Sequence, residues 1–136
     1  MIPGGLEMLV AGCGEGEVLL LSEPLSFWGG LDVANGRIID VHHPQYGEEV
    51  TGKVVVMPFA RGSSSTASSL AEAIHRETGP AAIVLREPDE IVVLGATVPG
   101  ELYDEWCPVV VADPDLYGGL RPGVPVRVTE AGIELI

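Results

Sequence analysis

The sequence predicts an α/β fold, layered or barrel-like, around a mostly parallel core. Three observations carry this. Thr51–Met57, Ala81–Leu85, Ile91–Leu94 and Val109–Ala112 are apolar at nearly every position. Strands covered on both faces, as in parallel sheets, read as continuous apolar runs rather than alternating ones. Thr51 to Leu85 reads strand–helix–strand, the unit that joins parallel neighbours. Finally, 18 glycines and 11 prolines in 136 residues imply many tight turns, as compact β-rich folds require. The length fits one domain, residues 1–136, and 46% hydrophobic residues supply a sizeable core.

Along the chain, Glu7–Cys13 and Glu17–Ser22 read as strands joined by a hairpin-like turn at Gly14-Glu15-Gly16. Leu25–Asp32 places aromatics beside paired glycines, which suggests a loop whose backbone packs closely. Asn35-Gly36 signals a type I′ turn before the strand-like Arg37–Val41. His42-His43-Pro44 opens a polar loop ending near Gly47. Thr51–Met57 is a buried strand. Thr66–Thr78 is the one clear helix: Ala67, Leu70, Ala71 and Ile74 recur at helical spacing, and Glu72 and Arg76 form a favourable i,i+4 pair. Gly79-Pro80 stops it. Ala81–Leu85 and Ile91–Leu94 read as further buried strands, with a short helix near Gly100–Glu105. Pro108 opens the run Val109–Ala112, and the tail holds two short strands, Val124–Val128 and Ile133–Ile136. The four apolar runs are expected to form the parallel core, with the N-terminal strands in a second layer.

The composition excludes several roles. Seven Lys and Arg against 20 Asp and Glu give a net charge of −13. A field of that sign repels nucleic acid and anionic membranes, so neither is expected as a partner. The longest apolar runs, Val54–Ala60 and Ala81–Leu85, are too short to cross a bilayer. The N-terminus shows no secretory signal. Cys13 and Cys107 form neither a CxxC pair nor a disulfide framework, which suits a reducing cytoplasm. Two thiols cannot hold an iron–sulfur cluster alone. No HxH or HExxH pattern is present, and adjacent His42 and His43 would face opposite sides of a strand, so no metal site is expected in this chain. His43 is a candidate substrate contact; a plain surface histidine is the alternative.

The chemistry concentrates in Val54–Leu70. A β-like run ends at Pro58, Arg61-Gly62 follows, then Ser63-Ser64-Ser65 and the helix. A helix N-terminus offers unpaired N–H groups and partial positive charge to an anion or developing oxyanion. A serine here could bind a carboxylate or phosphate, act as an activated acid/base group, or only cap the helix. No GxSxG elbow is present, so a Ser/His/Asp hydrolase is not supported.

Several segments together resemble the aconitase X swivel domain. They are Leu25-Ser26-Phe27-Trp28-Gly29-Gly30-Leu31-Asp32, His42-His43-Pro44, Met57-Pro58 with Arg61-Gly62-Ser63-Ser64-Ser65, and Pro80-Ala81-Ala82-Ile83-Val84-Leu85-Arg86-Glu87-Pro88-Asp89. Their order and spacing match across nearly the whole chain. The resemblance implies the swivelling β/β/α domain of aconitase-type enzymes, here as the small subunit of a two-chain dehydratase. It implies a separate large catalytic subunit carrying an iron–sulfur cluster on its own cysteines. The reaction would be dehydration of a small hydroxy acid. Cis-3-hydroxy-L-proline is the first reading and the substrate of phosphomevalonate dehydratase the second. A non-catalytic regulatory or scaffold domain is the reading outside catalysis.

In the wider aconitase superfamily the swivel domain donates a serine base from a Gly-Ser-Ser segment. Ser63, directly after Gly62, occupies that position. Arg61, Gly62, Ser64, Ser65 and His43 are then candidate substrate contacts. The superfamily arginine that follows the serine pair is replaced by Ser65, while Arg61 precedes the motif. The partner surface is expected to include Phe27, Trp28 and the Ser63 loop.

Overall fold

The computed structural model describes all of Met1–Ile136. Its main sheet has seven strands in the order β1-β7-β6-β5-β2-β8-β9: β1 (Leu6–Val10), β2 (Gly14–Leu20), β5 (Val54–Val56), β6 (Ala82–Leu85), β7 (Val109–Ala112), β8 (Pro125–Thr129) and β9 (Gly132–Leu135). A four-residue helical turn, α1 (Phe27–Gly30), leads into a short β3–β4 ribbon (Leu31–Asp32 and Arg37–Ile38) that lies apart. The central four strands, β2, β5, β6 and β7, are parallel. The edges are antiparallel.

The Val-rich runs are buried on both faces, as their composition requires. Val55, Ile83, Leu85 and Val109 join Leu70, Ala73, Val92 and Ala96 in one core. Val54, Val56, Ala82, Val84, Val110 and Ala112 point into a second core with Leu116, Val126 and Ile133. Helices α2 (Ser64–His75) and α3 (Glu90–Tyr103) follow β5 and β6, so each links neighbouring parallel strands. A short helix, α4 (Pro114–Gly119), completes the second core through Leu116. The Glu72–Arg76 pair forms at 3.0 Å on α2.

Four expectations are corrected. β1 and β2 are not a hairpin: β1 pairs with β7, and β2 with β5 and β8. Gly14 and Gly16 lie inside β2, where a Cβ would collide with the carbonyls of Ala81 and Gly52, so these glycines permit close approach rather than a turn. Both N-terminal strands therefore belong to the main sheet, and β2 takes the place expected for Ile91–Leu94. That run is helical. Asp89 caps α3, accepting from the N–H groups of Ile91 and Val92 at 3.0 and 3.1 Å. Gly95 lets the backbone of α3 approach Ala67 of α2 closely. Finally, β3 and β4 are joined by Val33–Gly36, and the strand after it is only Arg37–Ile38. Asn35 does not adopt the positive φ that a type I′ turn needs at both central positions.

Candidate active site

β2, β5 and β6 run in the same direction, so the segments leaving their carboxyl ends gather at one edge of the sheet. Open α/β sheets place their ligand sites at this edge. Here the serine loop follows β5, and Ser22–Leu25 follows β2. Two contacts join them: Arg61 N–H donates to Leu25 O at 3.2 Å, and Ser26 and Arg61 form a parallel bridge. The loop after β6 is tied in as well, since Arg86 and Glu87 N–H donate to Pro58 O.

Arg61, Gly62, Ser63, Ser64 and Ser65 form one continuous exposed turn. Ser63 is the N-cap residue of α2 in extended conformation, yet its side chain makes no cap hydrogen bond. The N–H groups of Ser64 and Ser65 have no partner in the chain. The free hydroxyl therefore stands beside unpaired donors and the positive end of a 12-residue helix. Gly62 has φ +123°, and a Cβ there would collide with Thr66 Oγ1. Thr66, with Oγ1 3.3 Å from Ser26 Oγ and 3.4 Å from Arg61 O, lies beneath the turn.

Arg61 supplies the cation. Its Nη2 lies 3.8 Å from Glu23 Oε1, with both side chains about half exposed. Such a pair is weak and leaves the guanidinium open to a competing anion. Sequence reasoning missed Glu23; nothing in its local context marks it, and only the fold brings it to Arg61.

His43 does not present a free nitrogen. Its ring is buried. Nδ1 accepts from Gln45 N–H at 3.0 Å, so Nε2 carries the proton and donates to Glu23 O, also at 3.0 Å. The ring braces the segment carrying Glu23 and leaves neither nitrogen free in this chain, unlike the open substrate contact expected from the sequence. Phe27 is fully buried and cannot form a docking surface, whereas Trp28 beside it is 63% exposed.

No three His, Cys, Asp or Glu side chains converge on a possible metal position. Cys13 is exposed, and Cys107 is buried, its thiol pushed up to about 12 by desolvation. The donor set of this chain does not fit an iron–sulfur cluster. None of the five principal surface grooves is lined by Arg61–Ser65. The turn is exposed at every position. No helix is long and apolar enough to cross a membrane.

Residues 5–135 match the family model described as the aconitase X swivel domain. The chain belongs to the aconitase X swivel domain family. The solved aconitase X of Thermococcus kodakaraensis, in its holo-form, superposes with a TM-score of 0.81 at 29% identity, covering 98% of this chain and 99% of that one. The chain is 46% identical over 101 residues to the cis-3-hydroxy-L-proline dehydratase of Pseudomonas aeruginosa, 74% of this chain but only 17% of that protein. It is 40% identical over 89 residues to the phosphomevalonate dehydratase small subunit of Methanothermobacter thermautotrophicus, covering 65% of this chain and 68% of that subunit.

Proposed function

We propose that this swivel domain is the small subunit of a two-chain aconitase X hydro-lyase, and that Ser63 is the base it contributes. One observation carries the reading: an exposed serine hydroxyl free of any cap bond, at a helix N-terminus and outside the five principal grooves. Half a site is what a domain completed by a partner should present. The expected partner is a large catalytic subunit that holds the iron–sulfur cluster, since the donors for one are not gathered here. It docks over the exposed Trp28 and the serine loop.

In the closed site, Ser63 as its alkoxide takes a proton from the carbon beside the substrate carboxylate; the freed electron pair forms the C=C bond and hydroxide leaves the neighbouring carbon, a departure that a Lewis-acid metal centre in the partner would assist. A serine hydroxyl is a weak base until its oxyanion is stabilised. The unpaired N–H groups of Ser64 and Ser65 and the α2 dipole supply that stabilisation once water is excluded. Arg61 turns from Glu23 to hold the carboxylate, in bidentate fashion where the geometry allows. Gly62 brings the backbone close to the ligand.

Cis-3-hydroxy-L-proline is the first substrate reading, favoured by the 46% identity to the Pseudomonas aeruginosa enzyme. The substrate of phosphomevalonate dehydratase is the second, favoured by similarity to a separate small subunit of comparable length. Co-expression with a cognate large subunit and assay on both substrates tests the proposal. Dehydration of one of them only by the complex supports it. No turnover of either by a stable complex rejects both substrate readings. Failure to form any complex favours a regulatory or scaffold role.

A further inference from the structure

Only two polar side chains are buried in this chain, His43 and Thr66. His43 has an evident bracing role. Thr66 lies directly beneath the serine turn, and its surroundings assign the direction of its hydrogen bonds. Ser26 Oγ donates its single proton to Trp28 O at 2.8 Å. At the 3.3 Å contact between Ser26 Oγ and Thr66 Oγ1, the donor is therefore Thr66. Its proton is shared with Arg61 O at 3.4 Å. The result is a directed chain: Thr66 to Ser26, and Ser26 to the backbone of the exposed Trp28.

Side chains on a helix lean toward its N-terminus, so a threonine three residues after the cap reaches back over the preceding turn. Its β-branching fixes both methyl and hydroxyl in place. Gly62 packs on that side chain so closely that no Cβ fits between them. The backbone of Gly62–Ser63 thus rests on Thr66, while Arg61 is pinned to Leu25 from the other side. Ser63 itself is held by no side-chain bond.

We infer that Thr66 and Ser26 are positioning residues that fix where the Ser63 hydroxyl stands. Through Ser26 they also tie that position to the Trp28 segment, so partner docking and placement of the base share one support. The inference rests on the proposed role of Ser63 only for its effect on turnover; its structural part stands independently.

The test compares Thr66→Val, which keeps the shape and loses the hydroxyl, with Thr66→Ser, which keeps the hydroxyl. Ser26→Ala breaks the same chain from the other end and serves if Thr66→Val does not fold. Two readouts are taken: kcat and KM in the reconstituted complex, and hydrogen-exchange protection of the Arg61 amide in the full chain alone. Misplacing a reacting group by about 1 Å costs up to roughly 100-fold. Thr66→Val and Ser26→Ala are expected to lower kcat by about 10- to 100-fold with KM little changed, and to lose Arg61 protection. Thr66→Ser should restore both. Wild-type kcat and Arg61 protection in Thr66→Val, or equal loss in Thr66→Ser, overturns the inference. If the wild-type complex dehydrates neither substrate, both substrate readings fail, and Arg61 protection alone still decides the positioning role.

Discussion

Gly62→Ala should disturb the serine turn in two separable ways. The first is backbone strain. At φ +123° a residue with a Cβ sits in a sparsely allowed region, which costs about 1–3 kcal/mol. The second is overlap: the new methyl would collide with the Thr66 hydroxyl, and Thr66 is buried and cannot swing into solvent. Overpacking of this kind costs about 1–3 kcal/mol. If the turn holds its place, the two sum to roughly 2–6 kcal/mol. Gly47→Ala isolates the backbone part, because Gly47 has φ +88° with open space around it. That variant should lose only about 1–2 kcal/mol. Urea unfolding of the full chain measures both, and each kcal/mol corresponds to roughly 3–5 °C in Tm at this chain length. The exposed turn has a second way out, which is to shift away from Thr66. In that case the stability loss shrinks toward the Gly47 value, while Arg61 amide protection and turnover of the complex both fall. Unfolding that matches Gly47→Ala, with Arg61 protection and kcat at wild-type values, would refute the close packing of Gly62 on Thr66.

Two further outcomes follow from other parts of the fold. Asp89→Ala removes the side chain that accepts from the N–H groups of Ile91 and Val92, and should cost about 1 kcal/mol by urea unfolding; an unchanged midpoint would mean that this cap is not closed in solution. The thiols should also separate cleanly. At pH 8 iodoacetamide should alkylate exposed Cys13 in the native chain and reach Cys107 only in denaturant, because burial pushes that thiol up to about 12 and leaves almost no thiolate. Equal native rates would contradict the burial.

What was legible in the sequence was what depends on local pattern. The runs at Thr51–Met57, Ala81–Leu85 and Val109–Ala112 marked three of the four parallel strands, because burial on both faces leaves no polar alternation to read. The second helix was found within two or three residues, since its buried positions repeat at helical spacing. Ile91–Leu94 misled for the same reason that the strands succeeded. It is apolar at every position, and four residues do not separate strand from helix. The Asp89 cap was the available signal. The pairing of β1 and β2 was not legible, because their partners lie far away in the chain. In the site, the contiguous Arg61–Ser65 turn survived intact. Its supports did not show: Glu23, Ser26 and Thr66 meet across loops 38 and 40 residues apart, as Glu23 to Arg61 and Ser26 to Thr66. His43 stood out as chemistry but serves as a brace, because a histidine's composition says nothing of which way its nitrogens face.

The central claim is that Ser63, and not its neighbours, is the base. It is tested most directly by kcat of Ser63→Ala, Ser64→Ala and Ser65→Ala in the reconstituted complex, each checked for folding and subunit assembly. Loss of a general base costs about 10²–10⁴-fold. Ser63→Ala should fall by that amount with assembly intact, while Ser64→Ala and Ser65→Ala, whose backbone N–H groups remain, should lose much less. Near-normal turnover in Ser63→Ala beside an inactive Ser64→Ala or Ser65→Ala would assign the base to another hydroxyl. Normal turnover in all three would reduce the serine run to a helix start.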